Sequence, residues 1–110
     1  MKKIKYGAFC ELYGKSLRNR ALEYVLELNR LDFAVGDLAR EIGISRPKAY
    51  QIIGELEKEE LVRKSRIVGG TQLYVLNETD GRVKILRKAF RECLKSVMEY
   101  HEAGKIALSA

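Results

Sequence analysis

The chain has 110 residues, enough for one domain, and 46% of them are hydrophobic, which supplies a packed core and excludes a disordered tail. Lys and Arg number 21 against 15 Asp and Glu, and the resulting net charge of +6 favours a polyanionic partner. No apolar run has the length of a bilayer span, and the start Met1-Lys2-Lys3-Ile4-Lys5-Tyr6 lacks the apolar core of a signal peptide, so a cytoplasmic protein without a membrane partner is expected.

Along the chain, Ile4, Tyr6, Phe9, Leu12 and Tyr13 predict a basic arm and a short helix that stops at Gly14. Ser16 is the expected N-cap of a first long helix, in which Leu17, Ala21, Leu22, Val25, Leu26 and Leu28 recur at helical spacing towards Arg30 or Leu31. The segment Leu31-Asp32-Phe33 is read as a connection. A second helix follows from about Val35, with Ala34 in the cap position and Leu38, Ala39 and Ile42 on its buried face. Gly43 ends it, because the tight turn needs a residue tolerant of positive φ.

Ser45 caps a third helix, and Pro47 lies in its first turn, where a missing N–H costs little. Ala49, Ile52, Ile53 and Leu56 share its inner sector; Pro47, Tyr50, Gln51, Gly54 and Lys58 share the outer one. The period then changes. Residues Leu61 to Val68 and Thr71 to Leu76 are β-branched and aromatic-rich around Gly69-Gly70, which predicts a hairpin. Thr79 or Asp80 is the expected cap of a last helix to about Gly104, where Val83, Leu86, Phe90, Cys93, Val97 and Tyr100 step by three and four as a heptad seam that Leu94 and Met98 widen.

Two short helices crossing at a steep angle need a small residue at their close approach, a turn glycine and apolar anchors on both sides. Ala39, Gly43, and Leu38, Ile42, Ile44, Ala49 and Ile52 meet those needs, so residues 35–62 read as a helix-turn-helix. The expected fold class is mainly α with a small β-hairpin wing: a winged helix-turn-helix plus a long C-terminal dimerisation helix. One domain spans 1–110, divided into an arm and short helix (1–15), the winged unit (16–77) and the dimerisation helix with its tail (78–110).

In sequence the chain resembles the archaeal winged helix-turn-helix transcriptional regulators of the MarR/ArsR type, from about Phe9 to Tyr100. The resemblance is carried by FCELYGKSLRNRALEYVLEL, DLAREIGISRPKAYQIIGELEKEELV, GGTQLYVLN and VKILRKAFRECL. Those relatives usually have Ser or Thr where Ala34 stands. The resemblance implies a dimeric DNA-binding regulator.

With the recognition helix (45–59) in the major groove of double-stranded DNA, its N-terminal half is the expected reader, since the glutamates from Glu55 to Glu60 must face away from phosphate. Arg46 suits guanine and Gln51 adenine; Tyr50 and Pro47 suit thymine methyls or sugar; Ser45 and Lys48 suit phosphate. In the wing (62–76), Arg63, Lys64 and Arg66 are expected on the DNA backbone, with an arginine in the minor groove, and Arg18, with Arg20, is a further phosphate candidate. Val83, Leu86, Phe90, Cys93, Leu94, Val97 and Tyr100 are expected at a homodimer interface, with packing of the helix on its own domain as the alternative. A protein-interaction module of the transcription machinery and a non-specific architectural DNA protein remain the competing functions.

Catalysis is not expected. There is one histidine, His101, near the seam, and neither a phosphate loop nor a ligand-spaced cluster, so no cofactor or metal is anticipated. Cys10 and Cys93 lie far apart and read as packed thiols, with a redox role for Cys93 as the alternative. A small-molecule effector would find room between the first long helix and the terminal helix, but no residue names it.

Overall fold

The computed structural model describes the backbone of residues 3–109 and the side chains of residues 3–99. Tyr100 and His101 therefore lie outside the described side chains. The elements run α1 (Ala8–Tyr13), α2 (Leu17–Leu28), β1 (Phe33–Ala34), α3 (Val35–Ile42), α4 (Arg46–Lys58), β2 (Val62–Val68), β3 (Thr71–Leu76) and α5 (Gly81–Ser109).

Local chemistry sets most of these boundaries. The Ser16 hydroxyl accepts from the Asn19 N–H at 3.0 Å and starts α2, while the Ser45 hydroxyl accepts from the Lys48 N–H at 3.3 Å and starts α4. The α2 helix ends at Leu28, short of the expected Arg30 or Leu31, because Asn29 turns left-handed at φ 60°. Gly43 takes φ 79° and ψ 40°, and its N–H returns to the Ala39 carbonyl at 2.9 Å, which makes the turn between α3 and α4. Ala34 offers α3 no side-chain cap, but Asp37 in the first turn places a negative charge by the unpaired N–H groups.

The expected connection at Phe33 is in part a strand. Phe33 and Ala34 pair antiparallel with Tyr74 and Leu73, giving a three-stranded sheet of order β1-β3-β2. Two residues are too few to show a period, so only the partner strand reveals them. β2 and β3 join through Gly69 and Gly70 at φ 55° and 80°, the paired positive angles of a tight hairpin turn. A register shift between Lys64 and Ile67 places a bulge at Ser65-Arg66.

The core lies where α2, α3, α4 and the root of the wing converge. Leu38, Ile53, Leu56, Val62 and Leu76 are almost fully buried there, each contributing about 1.5–3 kcal/mol of apolar burial. Asp80 Oδ1 accepts from the Arg82 N–H at 2.8 Å and opens α5, which then packs back on α1 and α2 and runs beyond Gly104 to Ser109. Phe9 of α1 meets Phe90 of α5 with ring centroids 6.4 Å apart.

α1 is held by a buried charge. Glu23, 1% exposed, accepts from the Gly7 N–H at 2.9 Å and the Cys10 N–H at 3.1 Å. Arg20 lies 3.5 Å from the same carboxylate and donates through Nε to the Lys5 carbonyl at 2.8 Å, so the arm, α1 and α2 share one buried polar cluster. Burial assigns Arg20 to this cluster and not, beside Arg18, to a phosphate contact.

Candidate nucleic-acid interface

The N-terminal half of α4 presents every polar side chain expected there. Ser45, Arg46, Pro47, Lys48, Tyr50 and Gln51 are all exposed, while Ala49, Ile52, Ile53 and Leu56 on the opposite sector are buried. This division follows from the helical period: the inner sector anchors α4 to α3 and α2, and the outer one is left to solvent. Arg46 and Lys48 make no ion pair among the described residues.

The Arg46 guanidinium lies back over the first turn of α3. A Cβ built on Gly36 would fall 3.3 Å from its Nη2 and 3.5 Å from both Cζ and Nε. A glycine in a short helix carries no sequence signal of what rests on it, so only the folded chain reveals the role of Gly36.

The acidic end of α4 is managed separately. Glu59, at its C-terminus, pairs with Arg18, and its carbonyl accepts from Arg82. Arg18 therefore sits at the glutamate-rich end, about 20 Å along the helix from Arg46 at 1.5 Å per residue, and not with the candidate reading residues.

In the wing, Arg63 and Lys64 are exposed and unpaired among the described residues. Arg66 differs: its Nε donates to Asp32 Oδ2 at 2.9 Å, and the Ser65 hydroxyl donates to the same oxygen at 2.6 Å. The Arg66 and Ser65 donors hold the Asp32 carboxyl below its usual range, and the Asp32 carboxylate in turn holds the Arg66 guanidinium above its own. The bulge aims Ser65 and Arg66 at Asp32, a partner 34 residues away from Arg66 that no local pattern reveals.

The heptad seam changes partner along its length. Val83 and Phe90 are buried within the chain and Leu86 is partly buried against the same core, so the folded chain itself covers much of this stretch of the seam. Heptad spacing specifies a covered stripe and leaves open whose surface covers it. Cys93 is 7% exposed, and burial raises its thiol pKa. Farther on, Leu94, Val97 and Met98 stand exposed, as do Leu12 and Tyr13 of α1 and Ile85 of α5. Two shallow apolar grooves of about 360 and 320 Å³ run between these helices beside Cys93.

A polar cleft of about 210 Å³ lies between α2 and α5, where an effector was expected, and is lined by Leu26, Glu27, Asn29, Arg87, Phe90 and Arg91. Of these, Arg87 bonds both Asn29 and Glu78. Among the described residues no group of three metal-ligating side chains occurs, and no helix is long and apolar enough to cross a membrane.

No protein-family model matches the chain, and neither does any curated protein sequence. Solved structures do. Lactococcus lactis ZitR superposes with a TM-score of 0.61 at 21% identity, over 76% of this chain and 61% of that one. The adhesin competence repressor AdcR of Streptococcus pyogenes gives 0.63 at 14% identity over 86% and 68%, and Staphylococcus aureus MepR bound to an oligodeoxyribonucleotide gives 0.61 at 15% over 93% and 80%. The fold is a MarR-like winged helix. The chain spans about three fifths of the ZitR chain. Within the winged helix, α3 and α4 are the helix-turn-helix, β2 and β3 the wing, and α1 with α5 the flanking helices.

Proposed function

We propose that the chain is a sequence-specific, double-stranded-DNA-binding transcriptional regulator that acts as a homodimer. The observation that carries this reading is the exposed, cationic N-terminal half of α4, with Arg46 and Lys48 unpaired and Tyr50 and Gln51 beside them, on a winged helix whose wing adds Arg63 and Lys64. The major groove admits a helix of this kind, and the exposed residues include donors suited to guanine, adenine and phosphate. The structural neighbour MepR, described as a transcription regulator of a multidrug efflux pump, is bound to an oligodeoxyribonucleotide in one of its structures.

The dimer follows from what α1 and α5 leave uncovered. Leu12 and Ile85 are each 70% exposed and Met98 63%, a set of apolar side chains that a second copy would bury. Pairing two copies doubles the length of DNA read, which one winged helix alone leaves short of useful specificity.

A mobility-shift series on duplexes selected from a randomised pool tests the reading. The wild-type chain enriches a defined sequence, and Arg46→Ala and Gln51→Ala each relax it, by about 1–3 kcal/mol per lost base pairing. Unchanged selectivity in both variants contradicts base reading by α4.

A further inference from the structure

The corner where α4 gives way to the wing is strained, and it is held from outside. Glu60 takes φ 64°, a left-handed backbone that glycine normally fills at a helix end. Its N–H returns to the Glu57 carbonyl at 2.9 Å and the Leu61 N–H returns to the Leu56 carbonyl at 2.9 Å, so the helix closes in a Schellman turn around a residue that disfavours it. A conformation of this kind persists only where its surroundings over-determine it.

Those surroundings come from the far side of the wing. Because β2 and β3 run antiparallel, Leu76 lies opposite Val62, and the next residue, Asn77, meets the corner. Three successive carbonyls are taken there: Arg82 Nη2 donates to that of Glu59, Asn77 Nδ2 to that of Glu60 at 2.8 Å, and the Asn77 N–H to that of Leu61 at 3.0 Å. The donors are themselves fixed. Asn77 Oδ1 accepts from the Thr79 hydroxyl at 2.8 Å and the Asn77 carbonyl from the Asp80 N–H at 3.2 Å, so every polar group of Asn77 is engaged. Asp80 grips the Arg82 guanidinium through both carboxylate oxygens, at 3.1 and 2.9 Å.

We propose that this clamp on the Glu59, Glu60 and Leu61 carbonyls fixes the angle between α4 and α5 and thereby sets the half-site spacing that the paired chain accepts, with Asn77 as the positioning residue. The inference rests on the reading of the chain as a DNA-binding dimer and specifies what sets its geometry. α4 has 13 residues and is about 20 Å long, so a rotation of about 10° at its clamped end carries the Ser45 to Gln51 end by about 3.5 Å. One base pair rises by about 3.4 Å. A bivalent grip gains most when the span of its connection matches that of its sites, and a loosened joint spreads the gain over neighbouring spacings. Asn77 needs no contact with DNA to exert this effect.

The test uses the full-length chain on duplexes carrying two copies of its selected half-site, with centres moved apart one base pair at a time, and on a duplex carrying one copy. The wild type is expected to favour one spacing over its neighbours by about tenfold or more. Asn77→Ala is expected to reduce that preference to about two- to threefold while affinity for the single half-site stays the same. Glu60→Gly separates this effect from lost stability, because it relieves the left-handed strain and raises the melting temperature. Alone it keeps the wild-type spacing profile, since its carbonyl still accepts from Asn77; combined with Asn77→Ala it recovers melting temperature and not the preference. Thr79→Val, at an exposed position, frees the Asn77 amide to turn and shifts the profile in the same direction. If the Asn77→Ala/Glu60→Gly chain repeats the wild-type profile, the clamp inference is overturned while the DNA reading stands. Should that chain fail to fold, an unchanged profile for Thr79→Val overturns it equally. A wild-type chain that binds all spacings alike, or no duplex at low salt, overturns the dimeric DNA reading as well.

Discussion

The guanidinium of Arg46 rests on the first turn of α3 at the place where Gly36 has no side chain, with Nη2 3.3 Å from the position a Cβ would take. The backbone of Gly36 does not require glycine: it lies within α3 and is not among the positive-φ residues. Glycine in a helix costs about 0.5–1 kcal/mol relative to alanine, so the arginine above it is the reason on view for its presence.

Gly36→Ala is accordingly expected to move stability and DNA binding in opposite directions. The melting temperature rises, by an amount equivalent to about 0.5–1 kcal/mol, while DNA affinity falls because Arg46 must shift. In the background of Arg46→Ala the same substitution still stabilises but no longer affects DNA binding, a non-additivity that a double-mutant cycle reads directly.

The buried Glu23 carboxylate supports α1, and its removal strands the Gly7 and Cys10 N–H groups and the Arg20 guanidinium. Glu23→Ala is expected to destabilise the chain by about 3–5 kcal/mol in denaturant unfolding. Gly7→Ala should weaken the same cluster, since its Cβ would fall 2.8 Å from Glu23 Oε2. Burial and the Glu23 charge push the Cys10 thiol up to about 12, so it should resist alkylation at neutral pH until the chain unfolds.

Acid should loosen the start of α5. Hydrogen bonds from the Arg82 side chain and backbone lower the Asp80 carboxyl from 3.8 to about 2. A lowered folded-state value means that this contribution is complete above the ordinary carboxylate pKa and is lost as the pH falls through about 2. Asp80→Asn should therefore show a flatter dependence of melting temperature on pH between these values than the wild type.

The inner and outer parts of the α5 seam should respond differently. Val83→Ala opens space in the core and is expected to cost about 1–3 kcal/mol of stability without changing self-association of the folded chain. Met98→Lys, at an exposed site, should leave the monomer fold intact and weaken the dimer, as sedimentation or light scattering would report.

Much of this architecture was legible because its signals are local. Ser16 and Ser45 mark helix starts by their hydroxyls, Gly43 marks the turn by its left-handed backbone, and Gly69-Gly70 marks the hairpin. What escaped depends on residues distant in the chain. The strand at Phe33 and Ala34 exists through β3, and the withdrawal of Arg66 exists through Asp32. The burial of Glu23 exists through the N-terminal segment that folds over it. The candidate interface was legible as a set of residue types on one helical sector, whereas the rest of Arg46 on Gly36 required coordinates.

Hydroxyl-radical footprinting of the full chain on a selected duplex shows whether paired copies read DNA through the N-terminal halves of their α4 helices. Two protected half-sites related by twofold symmetry are expected, with centres about one helical turn, or 10 base pairs, apart or a multiple of it. A single asymmetric patch, or even protection that ignores sequence, would contradict it.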